Sequence, residues 1–157
     1  MKVREVMNSR VVAVRVDDTL ASAMRILLDH GINSAPVVDA DGNLVGMIGL
    51  KDGLRAPHPS GAEAMIHRHT ALLQRARALR DTRVGAVMAR PVITVHPDTP
   101  AEEAAAIMSN RGRHPLPVLE SGRMVGIVSR SDIGRVLLSL IERSSDLPSD
   151  APPAQPP

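Results

Sequence analysis

APVVDADGNLVGMIGLKD occupies residues 35–52, and LPVLESGRMVGIVSRSD occupies residues 116–132. The two stretches decide the fold because they are one pattern written twice. Pro36-Val37 aligns with Pro117-Val118, Gly42 with Gly122, Val45-Gly46 with Val125-Gly126 and Asp52 with Asp132, with one residue lost in the second turn. Each reads as two short apolar runs around a tight turn: 35–38 and 44–50 around Asp41-Gly42, then 116–119 and 124–129 around Ser121-Gly122. Asp-Gly between apolar runs is a hairpin signal. A helix is expected to open at Asp52 and again at Asp132.

Upstream of each hairpin the agreement continues. Val6-Met7 aligns with Val87-Met88, Ala23 with Ala104 and Gly31 with Gly112. Extended stretches are expected at 11–14 and 92–95. A helix follows in each repeat. Asp18 or Thr19 caps the first, over 20–30. Thr99 caps the second, with Pro100 at the first helical position and Glu102 and Glu103 in the first turn, where they suit the helix dipole. Met24, Leu27 and Leu28 fall at helical spacing. Gly31 and Gly112 are placed to end the helices in the left-handed conformation.

The predicted fold is therefore α/β, built from two β-α-β-β-α repeats related by a pseudo-two-fold axis. One such unit has too small a core and an uncovered sheet face, so two must pack together. The expected organisation is repeat 1 over 1–55, a linker with an amphipathic helix over 56–83, repeat 2 over 84–143 and a disordered Pro-rich tail over 144–157. Within the linker a helix is expected over 62–80. Met65, Leu72, Ala76 and Leu79 form its apolar stripe, with Arg68, Arg75, Arg77 and Arg80 around it.

Composition narrows the function classes. Of 157 residues 43% are apolar, yet Phe, Tyr, Trp and Cys are all absent. The core must be aliphatic and methionine-rich, and a bound base must lie between aliphatic side chains. Stacking-based binding of single-stranded nucleic acid is disfavoured. Disulfides, thiolate metal sites and cysteine nucleophiles are excluded. The N-terminus lacks a signal-peptide core and no apolar run reaches the roughly 20 residues of a membrane span, so a cytoplasmic protein is expected. The net charge is only +2. The calculated pI of 9.9 reflects a small excess of arginine with no Tyr or Cys to titrate, not a nucleic-acid footprint.

The doubled pattern, V-M…TVxPD…A…M…LPV…G-apolar-apolar-Ser-x-x-Asp, resembles tandem cystathionine-β-synthase (CBS) domains, the Bateman module. The resemblance covers most of 3–143 and omits the linker and the tail. It implies a free-standing regulatory module, not an enzyme, that binds AMP, ADP, ATP or S-adenosyl-methionine in clefts between the repeats. It also implies dimers forming a flat disc, and a separate effector protein.

The same resemblance implies site residues. The Asp opening the last helix of a repeat bonds the ribose hydroxyls, and a Ser or Thr three residues earlier bonds ribose or phosphate. A carboxylate suits a cis-diol, and free N–H groups at a helix start favour phosphate. In repeat 2, Ser129, Ser131 and Asp132 match the pattern. In repeat 1, Asp52 and Lys51 are present, but Gly49 replaces the hydroxyl. Three residues before the strand proline, where the family often has a phosphate-binding His or Arg, repeat 2 has His114, preceded by Arg113 and Arg111, and repeat 1 has Asn33. Thr94 keeps the family's first-strand hydroxyl, where repeat 1 has Ala13. One competent site is therefore expected at Ser129 and Asp132, with phosphate held by His114, Arg113 and Lys51, and a degenerate site at Asp52.

Plainer readings stand beside these. Asp52 and Asp132 suit helix N-caps, His114 and Arg113 suit a solvated edge, and the arginines of 62–80 suit a solvated face. His58, His67 and His69 lack the companions of a metal site. Asp98, Glu102 and Glu103 suit dipole compensation. No nucleophile–base set, P-loop or dinucleotide fingerprint is found. Two other functions remain open: a ligand-free dimerisation scaffold, and a nucleic-acid-associated regulator using the basic 62–80 helix.

Overall fold

The computed structural model describes residues 1–55, 71–110 and 115–144. The expected start of the 62–80 helix, Met65, Arg68, the three histidines of the linker, Arg111, Gly112, Arg113, His114 and the tail from 145 lie outside the described residues.

Repeat 1 contains β1 (Val14–Arg15), α1 (Leu20–Asp29), β2 (Ser34–Val38), β3 (Leu44–Gly49) and α2 (Leu50–Leu54). After the linker helix α3 (Ala71–Asp81) and a short turn of helix, α4 (Val84–Val87), repeat 2 contains α5 (Ala101–Asn110), β4 (Leu116–Glu120), β5 (Arg123–Val128) and α6 (Arg130–Ser144). In the first sheet β1 lies parallel to β2, which pairs antiparallel with β3. In the second, β4 pairs antiparallel with β5, and Val95 alone bridges Val118 in the place of β1. Repeat 2 turns on two residues, Ser121 (φ 50°) and Gly122 (φ 77°), the positive-φ pair of a type I′ hairpin. The longer turn of repeat 1 is stapled by Asp39, whose carboxylate accepts from the Asp41 and Asn43 amides and the Asn43 side chain. The alignment gap falls at this change of turn.

The cores do not follow the repeats as written in the sequence. The first core joins Val14, Leu20, Ala23, Leu27, Val37 and Ile48 to Val84 and Met88. The second joins Val95, Ala104, Met108, Leu116, Val118 and Val128 to Val3, with Val6 and Met7 packed against it. The Val-Met segment of each repeat is thus seated on the other. Asn8 exchanges two backbone hydrogen bonds with Ile127, at 2.8 and 2.9 Å, and Ala89 does the same with Met47, at 2.8 and 3.1 Å. Glycines make room for the visiting methionines: a Cβ on Gly126 would lie 2.6 Å from Met7 Sδ, and one on Gly46 would collide with Met88 Sδ.

This exchange explains why the expected strands at 11–14 and 92–95 are shorter than read. Asn8 is paired to one sheet and Val14 to the other, so residues 9–13 must cross between them and cannot remain in either ladder. Residues 90–94 cross in the same way, between Ala89 and Val95.

It also corrects the expected caps. Thr19 caps α1, its Oγ1 accepting the Ser22 amide at 3.2 Å, while Asp18 accepts the Arg15 amide. Thr99 does not cap α5. Its Oγ1 accepts from His96, and the carbonyl of Pro100 takes the Ala104 amide, so Pro100 itself stands at the cap position. Proline offers no capping oxygen, and the exchanged segments serve instead: the Ala101 amide donates to Met1 O, as the Leu20 amide donates to Thr82 O. Asp98 clamps the N-terminal segment in place, at 2.9 Å from both Lys2 Nζ and Arg4 Nη2. These partners hold its carboxyl below the usual carboxylate range.

Along α1 the buried line is Leu20, Ala23 and Leu27, and Leu28 faces outward. Gly31 adopts φ +62° as expected of a left-handed C-cap. Among the described residues of the expected stripe, only Leu79 packs on the first core, and Leu72 is exposed.

Candidate functional site

Both final helices begin before the aspartates. Leu50 and Arg130 are the first helical residues, and Asp52 and Asp132 stand third. They therefore do not cap as N-cap residues. Each carboxylate reaches back to the amide at the cap position, which is the acidic half of a capping box. Asp52 Oδ2 accepts from Gly49 N at 2.8 Å, and Asp132 Oδ2 accepts from Ser129 N at 2.8 Å.

Beyond that bond the two differ. Ser129 Oγ donates to Asp132 Oδ2 at 2.6 Å, and Arg135 Nη1 holds Asp132 Oδ1 at 3.0 Å. Glycine at 49 has no hydroxyl to give, and among the described residues Asp52 Oδ1 has no partner. Sequence reading missed Arg135. The signal was present as Asp-x-x-Arg in both repeats, Asp52 with Arg55 and Asp132 with Arg135.

A cleft between the repeats opens at Asp52. Repeat 1 contributes Ser34 from the start of β2, Met47 and Gly49 from β3, and Lys51 and Asp52 from α2. Repeat 2 contributes Ala89, Pro91, Val92 and Ile93 from the crossing strand, together with Pro115 and Leu116. Among the described residues the lining is aliphatic apart from one hydroxyl, one ammonium and one carboxylate. That suits a flat apolar body carrying a diol and a polar tail. The crossing segments are what place repeat 2 residues over a repeat 1 carboxylate, a consequence of the exchange and invisible to a linear alignment.

Of the predicted residues, Lys51 and Asp52 come together in this cleft. Asn33 is exposed, and its carbonyl, not its side chain, meets the helix start by accepting the Leu50 amide at 2.9 Å. Thr94 is exposed and follows Ile93 directly, and Ser131 is exposed on the first turn of α6. Ser129 and Asp132 are half-buried and bonded to each other, outside the Asp52 cleft. Arg113 and His114 lie outside the described residues, and in the chain they immediately precede Pro115 of the cleft lining. The cleft thus forms around the carboxylate that sequence comparison ranked second. Because α2 has only five residues, the positive charge at this end of the cleft is, among the described residues, the Lys51 ammonium and not a helix dipole.

Comparison with known proteins identifies the family and the fold. The CBS domain family matches the chain at residues 3–58 and again at 84–139. A CBS domain-containing protein of Dictyostelium discoideum is 33% identical over 145 residues, covering 89% of this chain and 93% of its own. The chain spans only 15% of the length of an A-adding tRNA nucleotidyltransferase of Aquifex aeolicus, to which it is 29% identical. Among solved structures, the CBS domain of a CBS domain-containing membrane protein from Sphaerobacter thermophilus superposes with a TM-score of 0.69 at 35% identity, covering 86% of each chain. The CBS domain pair of protein MJ0100, solved in complex with 5′-methylthioadenosine and S-adenosyl-L-methionine, superposes at 0.68 with 28% identity, covering 89% of this chain and 98% of its own. The chain belongs to the CBS domain family and carries that domain twice, as a tandem pair.

Proposed function

We propose that this CBS pair is a regulatory module that binds an adenosyl ligand in the Asp52 cleft and reports its presence to a separate partner protein. One observation carries the reading: a half-buried carboxylate, one oxygen of which has no partner among the described residues, stands beside Lys51 in an aliphatic cleft between the repeats. The free oxygen is an acceptor for the ribose cis-diol, the aliphatic lining receives the adenine, and Lys51 meets an anionic tail. The adenosyl ligands bound by the MJ0100 pair support the same chemistry. AMP, ADP, ATP and S-adenosyl-methionine are the candidates. Since both repeats line the cleft, a ligand there binds one inter-repeat arrangement better than another and shifts the population toward it.

The role is regulatory and not catalytic, and the setting we propose is cytoplasmic. Among the described residues no helix is long and apolar enough to cross a membrane.

Calorimetric titration with AMP, ATP, S-adenosyl-methionine and 5′-methylthioadenosine tests the reading. Binding weakened about 10- to 100-fold in Asp52→Asn is expected, the range for losing a hydrogen bond to a charged acceptor. Absence of heat with every adenosyl compound overturns it.

A second reading is favoured by α6, where Leu137, Leu138 and Ile141 are each more than half exposed along one face. On that reading the pair is a ligand-free scaffold that homodimerises through this face. A homodimer is compatible with both readings, and sedentary melting behaviour with every nucleotide would select the scaffold.

A further inference from the structure

The molecule contains its own control for the Asp52 site. Asp132 occupies the same place in the second repeat, at the third position of the same helix and in the same capping geometry. The same arginine follows three residues later in both. Yet the arginines behave differently. Arg55 stands just past Leu54, the last helical residue of α2, as its C-cap, and makes no ion pair with Asp52. Arg135 lies within a 15-residue helix, where residues three apart share a face, and its guanidinium holds Asp132 Oδ1 at 3.0 Å.

Acceptor capacity turns that difference into a binding preference. A carboxylate offers about four lone-pair sites. Asp52 spends one, on Gly49 N. Asp132 accepts from Ser129 N, Ser129 Oγ and Arg135 Nη1. A ribose diol needs two acceptor sites. Asp52 supplies them as it stands, whereas Asp132 supplies them only after a partner is displaced. The serine hydroxyl, which on sequence comparison favoured the second repeat, here consumes the carboxylate's capacity.

We propose that Arg135 makes ligand binding asymmetric: by holding the outward oxygen of Asp132 it weakens the second carboxylate for a ribose and directs an adenosyl ligand first to Asp52. This inference rests on the adenosyl reading above. The arginine is a bias and not a block, because its side chain is 75% exposed. Surface pairs of this kind are worth up to about 1 kcal/mol, or roughly fivefold in affinity. Arg135 acts through Asp132 and is a positioning residue.

A neutral probe isolates the effect, since a phosphorylated ligand would also attract the guanidinium directly. Titration with 5′-methylthioadenosine is run on wild type, Arg135→Ala, Arg135→Lys, Asp52→Asn and the Asp52→Asn/Arg135→Ala double variant, at low and high salt. Wild type is expected to show a tighter and a weaker site. Arg135→Ala strengthens the weaker one about fivefold and leaves the tighter one alone. Arg135→Lys retains part of the bias. Raising the salt strengthens the weaker site of wild type, by screening the pair, and does nothing to it in Arg135→Ala. The double variant binds more tightly than Asp52→Asn alone. A tight site that survives Asp52→Asn, or a weaker site unmoved by both Arg135→Ala and salt, overturns the proposal while leaving the adenosyl reading intact. Failure of the wild type to bind any adenosyl compound overturns that reading itself.

Discussion

The two hairpin-to-helix corners of this molecule have one topology and two chemistries. At Gly49–Asp52 the carboxylate closes half a capping box, and its other oxygen has no partner among the described residues. At Ser129–Asp132 the box is complete, because Ser129 Oγ accepts the Asp132 amide at 3.3 Å, and Arg135 takes the remaining outward oxygen. The lesson is that resemblance to a binding motif and readiness to bind are separate properties. Ser129 makes the second corner look more like the family pattern, and the same hydroxyl makes its helix start more self-sufficient.

The largest test of the comparison concerns which core each repeat opens on. Deleting residues 1–8 removes Val3, which is fully buried in the second core, along with Val6 and Met7. A buried aliphatic is worth about 1.5–3 kcal/mol, so a loss exceeding about 3 kcal/mol is expected. Hydrogen exchange should show the lost protection in α5, β4 and β5. Loss confined to β1, β2 and β3 would contradict the exchange. The milder pair, Val3→Ala and Val84→Ala, should cost about 1–3 kcal/mol each, with Val3→Ala weakening repeat 2 and Val84→Ala weakening repeat 1.

A smaller effect sharpens the difference between the corners. Ser129→Ala removes the capping hydroxyl and should lower stability by about 1 kcal/mol in chemical denaturation. It also frees acceptor capacity on Asp132. Unchanged stability would mean that the hydroxyl contributes nothing beyond what Gly49 already achieves in the first repeat.

The smallest effect is electrostatic. Lys2 and Arg4 hold Asp98 below the usual carboxylate range. A depressed folded-state value stabilises the native protein fully at neutral pH, and the contribution is lost as pH falls below about 4. Thermal melts of wild type and Asp98→Asn should therefore differ at pH 7 and converge toward pH 3. In repeat 1 the aligned Asp17 forms no ion pair among the described residues, and Arg83 of the arriving segment donates to its backbone carbonyl instead, at 2.8 Å. Equal separation of the two proteins at both pH values would remove Asp98 from the account.

Much was legible in the order of the residues. The duplicated hairpin, the turn glycines, Gly31 at the end of α1 and the aliphatic core all follow from local rules: period, positive φ and the absence of aromatics. Those rules act between near neighbours in the chain, and they suffice to specify a β-α-β-β-α unit and its repetition. The pattern also places Lys51 and Asp52 together at a helix start, since a motif travels with its helix wherever that helix goes.

What the linear pattern did not reveal depends on which distant segments meet. Thr99 has a capping hydroxyl by type, but Met1 arrives from the far end of the chain to satisfy the Ala101 amide. Val3 and Val84 each complete the core of the other repeat because the crossings at 9–13 and 90–94 carry them there. The difference between the Asp52 and Asp132 carboxylates lies in a side chain three residues downstream and in the length of the helix that carries it. Sequence alone determined the units and the chemistry available at each corner. Only the tertiary structure decided the exchange of segments, and with it the repeat 2 residues that line the cleft at Asp52, because hydrogen bonds and burial are settled by proximity in space and not by order in the chain.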